Sequence, residues 1–173
     1  MNFKVLVFFV CSLFLLHISA EPTLYGKVWV TIESQNFKKE SELELVSNDS
    51  RLGIKGKIDL KEGLEAIYQA EYKIDPVDGK ADEFKNRTFK QRNSFLGLKG
   101  NFGTLFLGTH DTALKKSQAK IDLFNDLAAD IGNILQGENR MNDFAGYTTP
   151  TIGKGFSATF NAIKGTSDLD KER

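Results

Sequence analysis

Three aspartates, Asp122, Asp126 and Asp130, stand four residues apart in one stretch of the chain. On a helix the spacing i, i+4, i+8 would align their carboxylates in a single stripe. Ile121, Phe124, Leu127, Ile131 and Ile134 recur at helical spacing among them, which predicts a short amphipathic helix with an apolar face and an acidic one. Other charges fall on alternate positions of extended segments: Lys27, then Arg51, Lys55 and Lys57, then Glu65 and Glu71, then Arg92. These residue types form no reactive set. Triad chemistry needs a base beside a nucleophile, and the chain has two histidines, His17 and His110. It contains no Gly-x-Ser-x-Gly turn and no metal-ligand spacing. An enzyme is therefore not expected, nor a cofactor or a metal site. What remains for the charges is electrostatics: a carboxylate stripe facing a basic cluster across a narrow wet gap would set up a transverse field. Such a field orders water and favours small polar solutes.

The elements carrying these charges read as strands. Thr23 to Glu33 alternates, with Leu24, Gly26, Val28, Val30 and Ile32 on one face and Tyr25, Lys27, Trp29, Thr31 and Glu33 on the other. Period two with one apolar and one polar face is the signal of a half-buried strand. Gln35 to Ser41 reads as a polar turn. Arg51 to Leu60 and Leu64 to Ile74 repeat the pattern around a tight turn at Lys61-Glu62-Gly63, and Asp75 to Asn86 is a charged loop. Gln91 to Lys99 and Gly103 to Thr109 form a hairpin over Asn101-Phe102. Asp143 to Thr149 and Gly155 to Lys164 complete about seven strands at meander spacing. Between the hairpin and Asp143 lie about thirty residues, Thr109 to Met141, without a strand pattern. Loops above roughly 12–15 residues are uncommon in compact domains and usually functional.

The N-terminus points to export. Lys4 precedes an apolar run from Val5 to Ile18, and Ser19-Ala20 supplies small residues for cleavage, so residues 1–20 read as a signal peptide. Cys11, the single cysteine, lies inside that segment, which leaves residues 21–173 without a disulfide or a Cys-based zinc site. Without Lys4 the exported part has 22 basic and 23 acidic residues, a balance that argues against a nucleic-acid partner. No later apolar stretch is long enough for a spanning helix. A membrane role would then require strands closed into a barrel, because backbone groups in lipid must all be paired. Two readings of the polar face stay open at this level. In a soluble sandwich it meets bulk water; in a barrel it lines a channel. Tyr25, Trp29, Tyr68 and Tyr72 suit a membrane-interface girdle or a lumen, and equally ordinary sheet packing. The export signal favours the channel. A structural or adhesive outer-membrane barrel with a packed interior is the alternative.

Several segments carry a resemblance. Leu24-Tyr25-Gly26-Lys27-Val28, Ser50-Arg51-Leu52-Gly53-Ile54-Lys55-Gly56, Phe95-Leu96-Gly97-Leu98-Lys99-Gly100 and Phe102-Gly103-Thr104-Leu105-Phe106-Leu107-Gly108 resemble, in order and spacing, the general diffusion porins of Gram-negative outer membranes. Asp122-Leu123-Phe124-Asn125-Asp126, Asp130-Ile131-Gly132 and Glu138-Asn139-Arg140 resemble that family's constriction loop and its exit. The resemblance runs from Leu24 to about Gly165.

It implies an all-β antiparallel transmembrane barrel of about sixteen strands, embedded in outer-membrane lipid and usually a homotrimer. One long loop, here about residues 110–141, folds inward. The implied activity is passive diffusion of small hydrophilic solutes and ions. Arg51, Arg92 and Arg140 would face Asp122, Asp126 and Asp130 at the constriction, with Glu138 a weaker candidate. Lys27, Lys55, Lys57, Glu65 and Glu71 are candidate lumen-lining residues. Thr109 and Gly146 stand where many members have arginine, so the basic side is expected to be thinner than usual. With about seven strands, the chain is expected to be the N-terminal portion of such a barrel, truncated or partial.

Overall fold

The computed structural model describes residues 21–37, 40–82, 85–118 and 121–163. The segment read as a signal peptide lies outside them. The described residues form nine strands: β1 (Thr23–Lys27), β2 (Val30–Phe37), β3 (Glu40–Ser47), β4 (Arg51–Asp59), β5 (Glu65–Lys73), β6 (Lys90–Gly100), β7 (Gly103–Asp111), β8 (Arg140–Thr148) and β9 (Thr159–Ile163). Seven of them make one antiparallel sheet in the order β1-β4-β5-β6-β7-β8-β9. The remaining pair, β2 and β3, is a hairpin growing out of the β1–β4 pair. The sheet does not close: β1 and β9 are its two edges.

The faces fall as the alternation predicts. Ile54 pairs with Ala70, Tyr68 with Leu96, Leu96 with Leu107 and Ala145 with Ala162, a continuous apolar surface across the strands. That surface is open: Leu24 is 76% exposed, Leu107 65% and Phe160 61%. The buried hydrophobic residues among those described are Ala81, Phe106 and Phe144. A soluble sandwich would bury such a face under a second sheet; none covers it among the described residues. An apolar outer face with an almost absent core is what a lipid-facing wall requires.

Three expectations are corrected. Thr23 to Glu33 is not one straight strand. It breaks at Val28-Trp29, which face Asn48, Asp49 and Ser50 on the returning chain, two residues against three. The hydroxyl of the fully buried Ser50 accepts from Trp29 N at 3.0 Å and donates to Trp29 O at 3.2 Å, and Asn48 N donates to Trp29 O at 2.9 Å. Asp49 takes φ +53° there. The Gln35–Ser41 turn is correspondingly shorter, since β2 runs to Phe37 and β3 restarts at Glu40. Second, within the expected strand Gly155 to Lys164, whose last residue lies outside the described ones, Gly155 to Ala158 are not strand and β9 starts at Thr159; an isolated bridge joins Ile152 to Phe156.

Third, Ile121 to Ile134 does not form an α-helix. The only regular element within it is the 3-10 turn Ile131–Asn133, and the single α-helix of the described residues, α1, spans Ala113–Ser117. The aspartates themselves are the reason. Asp side chains compete for nearby backbone N–H groups. Asp122 accepts from Phe124 N at 3.0 Å and Ile131 N at 3.3 Å, while Asp130 accepts from Asp126 N at 2.8 Å and Gly132 N at 2.6 Å. Asp126 sits at φ +68°. The carboxylates therefore hold a compact irregular loop and form no stripe.

Candidate constriction site

The loop joining β7 to β8 covers residues 112–139 and is closed at its base. Thr112 N donates to Asn139 O at 3.0 Å, and the Thr112 hydroxyl donates to Gly137 O at 3.0 Å. The Lys115 ammonium contacts the buried Glu138 carboxylate directly. From this base the loop reaches over the polar face of the sheet. Asp126 Oδ2 lies 3.2 Å from Arg51 Nη1 and 3.5 Å from Lys27 Nζ. Among the described residues these are the ion pairs tying the loop to the wall. Lys27 also lies over the Trp29 ring, 3.7 Å from its centroid.

Irregularities in the strands aim the wall's own charges. β-Bulges bend a strand and redirect a side chain. At the first, Asp49 turns into the polar face, 3.3 Å from Lys73 Nζ and 3.9 Å from Arg51 Nη1, and contacts the Arg92 guanidinium directly. At the second, Arg92 and Asn93 together face Glu71. Arg92 Nε donates to Glu71 Oε1 at 2.7 Å, and Tyr25 donates its hydroxyl to Glu71 Oε2 at 2.9 Å. Tyr25 reaches that carboxylate by lying across Gly53, where a Cβ would come within 2.6 Å of the ring. At the third, Asn142 and Asp143 face Thr109. Beside it Arg140 Nε donates to Asn93 Oδ1 at 2.8 Å, and Arg140 Nη2 lies 3.0 Å from Asp111 Oδ1.

Arg51, Arg92, Arg140, Asp126 and Asp130 thus line one polar cleft of about 660 Å³, together with Asp49, Lys73, Lys90 and Asp111. Asp122 faces a neighbouring cleft of about 180 Å³. Glu71 joins the site through Arg92. Lys55, Lys57 and Glu65 are elsewhere. Lys55 lies 5.1 Å from the Tyr25 ring centroid, and Lys57 pairs with Glu65 at 2.9 Å near the tight turn. Asp49, Lys73, Lys90, Asn93 and Asp111 were not read from the sequence. Asn48-Asp49 carried a usable signal, since Asn and Asp tolerate left-handed backbone and so mark a break between strands.

At Thr109 and Gly146, the two positions that the resemblance sets against arginine, neighbouring side chains fit the residues present. A Cβ at Gly146 would come within 2.2 Å of the Phe106 ring, so that ring occupies the space of a side chain. Thr109 bonds Asn142 at 3.1 Å and Gln91 at 3.2 Å within its bulge. His110 is buried beside the rings of Phe95, Phe106 and Phe144, with Nδ1 2.8 Å from Asp111 O; it packs beneath the start of the loop.

An open antiparallel wall with an apolar outer face and an inward loop paired to basic wall residues defines a class of membrane β-protein. The comparisons agree: residues 12–171 match the Gram-negative porin family, and the chain belongs to it. Its place is the cell outer membrane. The chain is 30% identical over 167 residues to the major outer membrane protein P.IA of Neisseria meningitidis serogroup C, a match covering 83% of this chain and 41% of the relative. It is 29% identical over 127 residues to major outer membrane protein P.IB of Neisseria gonorrhoeae, covering 68% of this chain and 34% of that one. Among solved structures, the anion-selective porin from Comamonas acidovorans superposes with TM-score 0.66 at 28% identity, over 84% of this chain and 47% of that one. OmpT of Vibrio cholerae in its trimer form, at 16% identity and TM-score 0.57, shares the fold; the match covers 84% of this chain and 42% of OmpT. The chain spans less than half the length of these relatives.

Proposed function

We propose that this chain supplies one wall and the constriction loop of a water-filled channel through which small hydrophilic solutes and ions diffuse passively. The observation that carries the reading is Asp126. A loop residue reaches 3.2 Å from Arg51 and 3.5 Å from Lys27 on the wall, beside a cleft lined by charged side chains of both wall and loop. The reading involves no catalytic step and no cofactor. Edges β1 and β9 need partners, since unpaired amides and carbonyls in lipid cost several kcal/mol each. Further strands must therefore flank this sheet in the working barrel, and we place that barrel in a homotrimer, as the trimer form of OmpT suggests. Arg51, Arg92 and Arg140 form the basic side of the constriction, Asp126 the acidic side, and Asp122 and Asp130 hold the loop's shape.

The test is electrical. Protein purified from outer membranes is reconstituted into planar lipid bilayers. Stepwise ohmic conductance that rises with salt is expected. Stable insertion without current would overturn the reading in favour of a structural or adhesive barrel.

A further inference from the structure

Lys27, Arg51, Lys73 and Lys90 are Cα partners in one line across β1, β4, β5 and β6. Like charges directly opposite one another on a sheet are destabilising. The line therefore depends on counter-charge, and the source of that charge decides the field in the cleft. Asp126 serves the Lys27–Arg51 end from the loop. Asp49 serves the middle from the wall, touching Arg51, Lys73 and the neighbouring Arg92. At the far end Lys90 has no ion-pair partner among the described residues, and it lines the cleft with Lys73.

We propose that Asp49 sets the ion preference of this channel, and that Lys73 and Lys90 are the open end of an anion-binding strip whose strength Asp49 holds down. The solutes it would engage are small carboxylates and phosphates, whose charge the ammonium groups of two cross-strand neighbours complement. Asp49 does this from a bulge pinned by Ser50 to Trp29, so its compensation does not depend on the position of the loop. Lys73 is shared with Asp49 only in the absence of a solute anion; a phosphate at Lys90 competes with that carboxylate for it. The proposal rests on the channel reading above.

The experiment compares reversal potentials under a potassium chloride gradient, and block of chloride current by inorganic phosphate, in wild-type and variant channels. Asp49→Asn keeps the backbone, because asparagine accepts φ +53°. It should raise the chloride-to-potassium permeability ratio about two- to threefold, the effect of one unit charge several ångströms away in a wet pore, and tighten phosphate block. Asp49→Glu should hold the ratio near wild type. The double variant Lys73→Gln/Lys90→Gln should lower the ratio by a similar factor and weaken phosphate block, and it decides the matter if Asp49→Asn fails to fold. Conducting variants with unchanged ratio and block overturn this proposal alone. A wild-type protein that carries no current overturns it together with the channel reading.

Discussion

Two groups of charges lie on the same face of the sheet, one of them completed by a loop residue, and differ in almost everything else. Near the tight turn, Lys57 and Lys99 flank Glu65, with side chains 72% and 59% exposed for the two lysines. At the other end, Arg92, Glu71 and Asp126 are only 12%, 10% and 10% exposed. The turn-end charges stand on regular ladder, each pointing where the pleat sends it. The other group is gathered by three bulges and roofed by a loop. Composition does not distinguish the groups; backbone irregularity does. Charge becomes a site where a strand is broken to re-aim it and a second element limits water.

That contrast can be broken at its roof first. Asp126→Ala should have the largest effect, since it removes both ion pairs between loop and wall and leaves Arg51 and Lys27 without that partner. Losing one partner of a half-buried charged pair costs about 1–3 kcal/mol locally. The loop should become cleavable by protease in folded protein, and single-channel current should become larger and noisier. Unchanged cleavage and noise would mean that the loop is held by its base alone.

Breaking the wall's own lattice comes next. Glu71→Gln weakens a charge-assisted bond to Arg92 while keeping the shape and the Tyr25 contact. A loss of about 1–2 kcal/mol is expected, read as a lower temperature for loss of heat-modifiable mobility on gels. A smaller effect should follow Ser50→Ala, about 1 kcal/mol, because the buried hydroxyl pins the bulge to Trp29. Its informative readout is ion preference. If the pin positions Asp49, selectivity moves in the direction of Asp49→Asn without any change of charge.

The smallest effect sharpens the comparison from the other side. Glu65→Gln breaks the exposed pairs with Lys57 and Lys99. Exposed pairs contribute little and are screened by salt, so melting behaviour and selectivity should match wild type at physiological ionic strength. A clear change in either would show that the turn-end charges belong to the permeation path.

Strand alternation was legible wherever pairing is regular. Leu52, Ile54 and Ile58 opposing Arg51, Lys55 and Lys57 required only the two-residue period, and the register of β4 to β7 bears it out. The break inside Thr23–Glu33 was not legible in that segment itself, because Val28-Trp29 continue the alternation and the extra residue, with its Asn48-Asp49 signal, lies on the returning strand. The loop misled in the opposite way. Ile121, Phe124, Leu127, Ile131 and Ile134 do have helical spacing, yet Asp122 and Asp130 bond the backbone locally. Periodicity reports where side chains would fall on a helix, and carries no information on whether a neighbouring carboxylate captures the amides first.

Apart from the basic positions Arg51, Arg92 and Arg140, which the resemblance to porins implied, the sequence by itself determined the faces of the wall, the short turns and the presence of one long acidic loop. These follow from local period, turn residues and order along the chain. Only the tertiary structure decided which carboxylates meet which cations. Asp126 meets Arg51 across 75 residues, and Asp49 meets Arg92 through a bulge. A pairing energy depends on distance and on exclusion of water, and both arise only when separated segments are brought together.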